Sequence, residues 1–191
     1  HLSPEGVEAV LDWVRRNPRH GVRDYAMLLI MARLGLRAPE ITRIELDDID
    51  WRSGELTVRG KGKVHDRVPI TAEVGEALSR YLREERGPTD CRTLFVTQRA
   101  PHRPFKDSQI VNAIIKDALD ATGQKPATPY VGSHVLRHSL ATQLINRGAS
   151  LDEVGDMLRH RSRGSTMIYA RLEIEGLRSI AQPWPVAGGA Q

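Results

Sequence analysis

Apolar residues along this chain recur mostly at helical spacing, with one interval where the period drops to two. Ser3-Pro4-Glu5 supplies an N-cap, a first-turn proline and an early acid, and Val7, Val10, Leu11 and Val14 then mark a first amphipathic helix that ends at Asn17-Pro18. Residues 24–34 are apolar nearly all round, as expected of a helix at the centre of a core, and Gly35 stops it. Another helix begins within Leu36-Arg37-Ala38-Pro39-Glu40-Ile41, with Pro39 where a missing N–H costs nothing and Glu40 where the helix dipole favours an anion. From Gly54 the alternation of Leu56 and Val58, then of Val68 and Ile70, predicts a hairpin or small sheet.

Downstream, Thr71 caps a helix through Val74, Ala77, Leu78 and Leu82 that ends at Gly87-Pro88, and Leu94-Phe95-Val96 is read as a short third strand. Residues 99–104 hold two prolines and two arginines and read as an exposed loop, followed by a helix over 107–122. Ser133 is placed as the cap of a helix closed by Gly148, and Ser150 as the cap of the next, with Arg159-His160-Arg161 at its end. A short helix over 166–171 carries Tyr169, and residues 172–180 have enough apolar character to dock. Residues 182–191, rich in Pro, Gly and Ala, read as a flexible tail. The fold class that follows is mainly α with a small antiparallel β-sheet.

Composition narrows the picture modestly. A chain of 191 residues with 40% hydrophobic content can build one well-buried core. A net charge of +4 leaves any polyanion-binding face to local clustering. The single cysteine, Cys91, excludes an internal disulfide framework. The strongest apolar run, residues 26–32, is too short to span a bilayer, so no membrane partner is expected.

Candidate chemistry concentrates late in the chain. Ser133-His134-Val135-Leu136-Arg137-His138 puts a histidine and an arginine three residues apart, on one helix face, and Leu158-Arg159-His160 and Ile168-Tyr169 follow. The connection Gly60-Lys61-Gly62-Lys63 carries lysines among glycines, although taken alone it reads as a solvated turn. His134 and His138 are spaced like a metal pair, but position 135 is valine where a His-Glu-x-x-His zinc site has glutamate, and two arginines nearby would repel a cation. No metal and no cofactor are expected.

Together, Gly35-Leu36-Arg37-Ala38-Pro39-Glu40, Gly60-Lys61-Gly62-Lys63 with Arg67-Val68-Pro69-Ile70, His134-Val135-Leu136-Arg137-His138, Leu158-Arg159-His160 and Tyr169 resemble the catalytic domain of the tyrosine recombinases, or phage-type integrases. The resemblance covers nearly the whole chain, in order. It implies that Arg37 and Arg137 clamp a phosphate, that Lys61 is the hairpin lysine with Lys63 its nearest competitor, and that Glu40 supports Arg37. It further implies that His134 opens the His-x-x-Arg box, that His160 fills the later His/Trp position and that Tyr169 is the nucleophile. Two departures stand out: Arg-x-Ser-Glu becomes Arg37-Ala38-Pro39-Glu40, and Leu-Gly-His becomes Leu158-Arg159-His160, which adds a cation beside the site.

The activity so implied is cleavage and rejoining of DNA through a 3′-phosphotyrosyl intermediate without metal or ATP, within a domain over residues 1–181 and with the N-terminal core-binding domain outside this chain. The implied partner is double-stranded DNA, with a homo-tetramer on DNA and a monomer away from it, in the cytoplasm of a prokaryotic cell at its nucleoid. A type IB topoisomerase-like relaxation and a non-cleaving DNA-binding regulator are the alternatives.

Overall fold

The computed structural model describes residues 1–60, 65–127 and 132–159. Lys61, His160 and Tyr169 lie outside them, as do Lys63, the helix expected over 166–171 and the tail expected over 182–191. Helix α1 (Pro4–Arg16) starts where its capping chemistry predicts, with the Ser3 hydroxyl accepting from the Gly6 N–H at 3.1 Å. Helix α2 (Val22–Leu34) begins two residues earlier than its apolar pattern suggests. Its first turn buries Arg23 and Asp24, which are paired with each other at 2.6 Å, while Asp24 also meets His20 Nδ1 at 3.0 Å. Charge hidden by pairing is invisible to a hydrophobic pattern.

The seven consecutive residues 26–32 of α2 are all buried, and α1, α4, α5 and α6 pack around it. Each fully buried Leu, Ile or Met contributes about 1.5–3 kcal/mol, which makes α2 the element on which the others are assembled. Gly35 ends it in the left-handed conformation, φ +64°, and a four-residue helix α3 (Ala38–Ile41) follows immediately.

The sheet has three antiparallel strands in the order β1 (Ile49–Asp50), β2 (Glu55–Arg59) and β3 (His65–Pro69). Leu56 pairs with Val68 and Arg59 with His65, and Leu56 and Val58 turn inward as the alternation predicts. The third strand is therefore β1 and not residues 94–96, which form no strand. Leu94, Phe95 and Val96 are all buried, and side chains occupy backbone groups that a ladder would use. Arg86 Nε donates to the Leu94 carbonyl at 3.0 Å, and the Val96 N–H donates to the Tyr81 hydroxyl at 3.2 Å. Only isolated bridges, Glu45 with Thr93 and Val96 with Pro104, remain there.

Helix α4 (Ala72–Glu84) is capped by Thr71, and α5 (Gln109–Thr122) starts two residues later than read from sequence. Helix α6 (His134–Asn146) begins at the expected place, but the Ser133 side chain makes no capping bond; its N–H instead donates to Asn112 Oδ1 at 2.8 Å. Helix α7 (Leu151–Met157) opens with a reciprocal Ser150–Glu153 capping box. Val154 and Leu158 pack on Ala141 of α6 in a small second apolar cluster. Among the described residues no helix is long and apolar enough to cross a membrane.

Candidate active site

Three separate stretches of chain converge: the turn from Gly35 to Glu40, the first turn of α6, and the Leu158-Arg159 end of α7. Arg37 occupies the N-cap of α3. Its own N–H donates to Glu40 Oε2 at 2.7 Å, and its Nη1 donates to Glu40 Oε1 at 3.0 Å. The carboxylate thus satisfies an otherwise orphaned helix-start N–H and fixes the guanidinium in one operation. Pro39 preserves this geometry because its position needs no N–H donor.

Arg137 lies in the first turn of α6 and is buried. Its Nη1 donates to the Gly35 carbonyl and its Nη2 to the Leu158 carbonyl. A single planar fork therefore ties the end of α2 to the end of α7, and a point-charge lysine could not impose that planar geometry. Both carbonyls come from residues at helix ends, where backbone acceptors lack intrahelical partners.

The third stretch brings Arg159. Its side chain is 7% exposed, and its Nη2 donates to Glu40 Oε2 at 3.1 Å. Glu40 consequently bridges two arginines 122 residues of chain apart. Burial pushes the Glu40 carboxyl up, but the Arg37 N–H and the guanidiniums of Arg159, Arg37 and Arg137 outweigh it, and the group is held below its ordinary range. It is ionised at neutral pH.

His134 stands on the open side of the same region. Loss of solvent around its ring, reinforced by the Arg137 and Arg37 guanidiniums, lowers its pKa, so the neutral imidazole prevails at pH 7. His138, one turn on, is pushed down to about 4, by burial first and then by the His134 ring. The two rings meet edge-on with centroids 6.3 Å apart. Among the described residues no group of three His, Cys, Asp or Glu side chains could hold a metal ion.

Of the residues singled out from sequence, Arg37 and Glu40 are bonded directly, Arg137 is tied to the Gly35 and Leu158 carbonyls beside them, and His134 stands near enough for the Arg137 and Arg37 charges to act on it. Lys61, His160 and Tyr169 lie outside the described residues. The sequence marked Arg159 only as an added cation; that it would be the second partner of Glu40 had no signal beyond its replacement of a glycine. The cluster can do one thing readily: hold an anion against several fixed, permanently charged donors, with a neutral imidazole at the edge.

Comparison with known proteins gives this arrangement a context. The phage integrase family model matches residues 1–175. The integrase/recombinase y4rA of Sinorhizobium fredii is 42% identical over 186 residues, covering 96% of this chain and 44% of its own length. From the same organism, the integrase/recombinase y4gC is 41% identical over 186 residues, covering 96% of this chain and 95% of its own. The crystal structure of XerA recombinase superposes with a TM-score of 0.76 at 27% identity, over 94% of this chain and 63% of that one. The chain thus spans less than half of y4rA, under two thirds of XerA and nearly all of y4gC.

Proposed function

Since the chain belongs to the phage integrase family, the tyrosine recombinases, we propose that residues 1–181 act as the catalytic domain of a site-specific DNA recombinase, cleaving and rejoining strands of double-stranded DNA. The observation that carries this reading is the carboxylate of Glu40, which locks Arg37 beside the buried Arg137 fork in a region of excess positive charge.

Attack on a phosphodiester develops negative charge on the non-bridging oxygens, and donors fixed beforehand need no reorganisation as it grows. Arg37 and Arg137 fill that role. Their charge is permanent and planar, so the clamp works without protonation equilibria. Tyr169 supplies the nucleophile: its hydroxyl oxygen bonds to phosphorus, the 5′ oxygen departs, and a 3′-phosphotyrosyl linkage results. A tyrosine hydroxyl, with a pKa of about 10, needs help to lose its proton. A neutral imidazole can accept it, and the depressed pKa of His134 suits that task. His160 donates to the phosphate, and Lys61 returns a proton to the leaving oxygen. The phosphoester bond is kept, not hydrolysed, so a 5′ hydroxyl from another strand can reverse the step without ATP.

Four copies pairing two duplexes, and a monomer away from DNA, complete the reading, within a prokaryotic cytoplasm. The test uses a pool of nicked duplexes of randomised sequence, in which the fragment beyond the cleavage point diffuses away and traps the adduct. A denaturant-stable protein–DNA species with the wild type and none with Tyr169→Phe supports the recombinase. Binding with no adduct in either protein would make the chain a DNA-binding regulator, and relaxation of supercoiled DNA without site preference would make it topoisomerase-like.

A further inference from the structure

Arg159 is the least expected residue of the site. Its backbone is left-handed, φ +55°, the only such non-glycine residue among those described. Glycine adopts that conformation freely and a side-chain-bearing residue does not. The residue common in the family at this point, glycine, therefore matches the backbone, and the arginine must be accounted for by what its guanidinium does.

One edge is explained, since Nη2 holds Glu40 Oε2 at 3.1 Å. The remaining donors are not. Nε and Nη1 are both buried and have no hydrogen-bond partner among the described residues, an arrangement that costs the desolvation of charged N–H groups with nothing returned. Charge points the same way: Arg37, Arg137 and Arg159 all act on the single carboxylate of Glu40, so among these four groups positive charge is in excess. Buried, unpartnered cationic donors in an electropositive cluster call for an anionic acceptor. The carbonyl of the preceding residue, Leu158, is held by Arg137, so the turn that presents Arg159 is fixed to α6.

We propose that Arg159 is a third guanidinium of the phosphate site, pressing Glu40 onto Arg37 through Nη2 and donating Nε and Nη1 to a phosphate of the bound DNA strand. This deepens the recombinase reading and rests on it. Arg159 thereby orients the first clamp arginine and adds a contact of its own, a combination that glycine at this position cannot offer.

The experiment compares wild type, Arg159→Gly, Arg159→Gln and Arg159→Lys in two assays. The first measures binding to a labelled duplex of randomised sequence over a series of salt concentrations. Loss of one phosphate contact flattens the slope of log K against log salt by about 0.9, in the Gly and Gln variants but not in the Lys variant, which keeps the charge. The second measures the single-turnover rate of adduct formation at saturating nicked duplex. That rate falls about 10- to 100-fold in Arg159→Gly, and Arg159→Lys recovers it only in part, because an ammonium does not present a planar fork to carboxylate and phosphate together.

Thermal melting of each variant accompanies both assays. Glycine relieves the left-handed backbone, and if Arg159→Gly nonetheless fails to fold, Arg159→Gln carries the same comparison. Unchanged slope and an adduct rate within about twofold of wild type, in a folded Gly or Gln variant, would overturn the inference and leave the recombinase reading intact. A wild type that neither binds duplex nor forms an adduct would overturn both.

Discussion

Replacing Glu40 by glutamine isolates the carboxylate at the centre of the cluster without changing its size. Glu40 is 11% exposed and accepts from the Arg37 N–H, Arg37 Nη1 and Arg159 Nη2. Removing one partner of a buried ion pair costs about 3–5 kcal/mol. The pair with Arg159 is buried on both sides, whereas Arg37 is 37% exposed, so its share counts as a partly solvated pair worth under about 1 kcal/mol. Glutamine keeps one carbonyl oxygen for one donor, which returns about 1–2 kcal/mol. The net expectation is a loss of about 2–3 kcal/mol, or roughly 5–10 °C in Tm for a domain of this size.

The pH dependence gives the sign an independent check. A carboxyl whose folded-state pKa is depressed contributes stability that is present in full above its unfolded value and lost as pH falls through the folded value. Urea denaturation of wild type and Glu40→Gln should therefore differ fully at pH 7, with the difference closing as pH drops below about 4. A difference under about 0.5 kcal/mol at pH 7, or one that stays constant down to pH 3, would refute the assignment of Glu40 as a charged bridge.

Two further outcomes follow from the same geometry. Gly35→Ala places a Cβ against the Leu158 side chain and 3.2 Å from Leu140 Cδ2 at a φ of +64°, so it should cost about 2–4 kcal/mol in urea unfolding. For His138, the imidazole depressed to about 4 by burial, the neighbouring His134, the amino terminus and Arg137 makes the unfolded state bind the extra proton. Stability should fall by about 1–2 kcal/mol, after allowance for solvent screening, as pH drops from about 6.5 toward 4, and His138→Gln should flatten that slope in thermal melts.

Much of the arginine cluster around Glu40 is legible in the sequence because it is built from local chemistry. A glycine ending α2, a proline four positions after it in the α3 start and a glutamate folding back on Arg37 are consequences of capping, which is written in short-range sequence. The helices were legible for the related reason that their apolar faces repeat at helical spacing. What failed was decided by distant partners. Residues 94–96 look like a buried strand, yet Arg86 and Tyr81 take their backbone groups. Strand β1, only two residues long, is too short to show any period. The first turn of α2 hides Arg23 and Asp24, whose burial depends on their pairing and on the Val96 carbonyl that accepts from Arg23 Nη1 at 3.0 Å. The bridge from Glu40 to Arg159 spans most of the domain, and its left-handed arginine obeys no local preference.

The central claim concerns one covalent bond. Digestion of the trapped protein–DNA adduct with protease and nuclease, followed by mass spectrometry, identifies the residue that carries the nucleotide and the end of the strand attached to it. The account predicts a single modified peptide bearing a 3′-phosphonucleotide on Tyr169, absent from Tyr169→Phe. A nucleotide on any other residue, or attachment through the 5′ end, would contradict it.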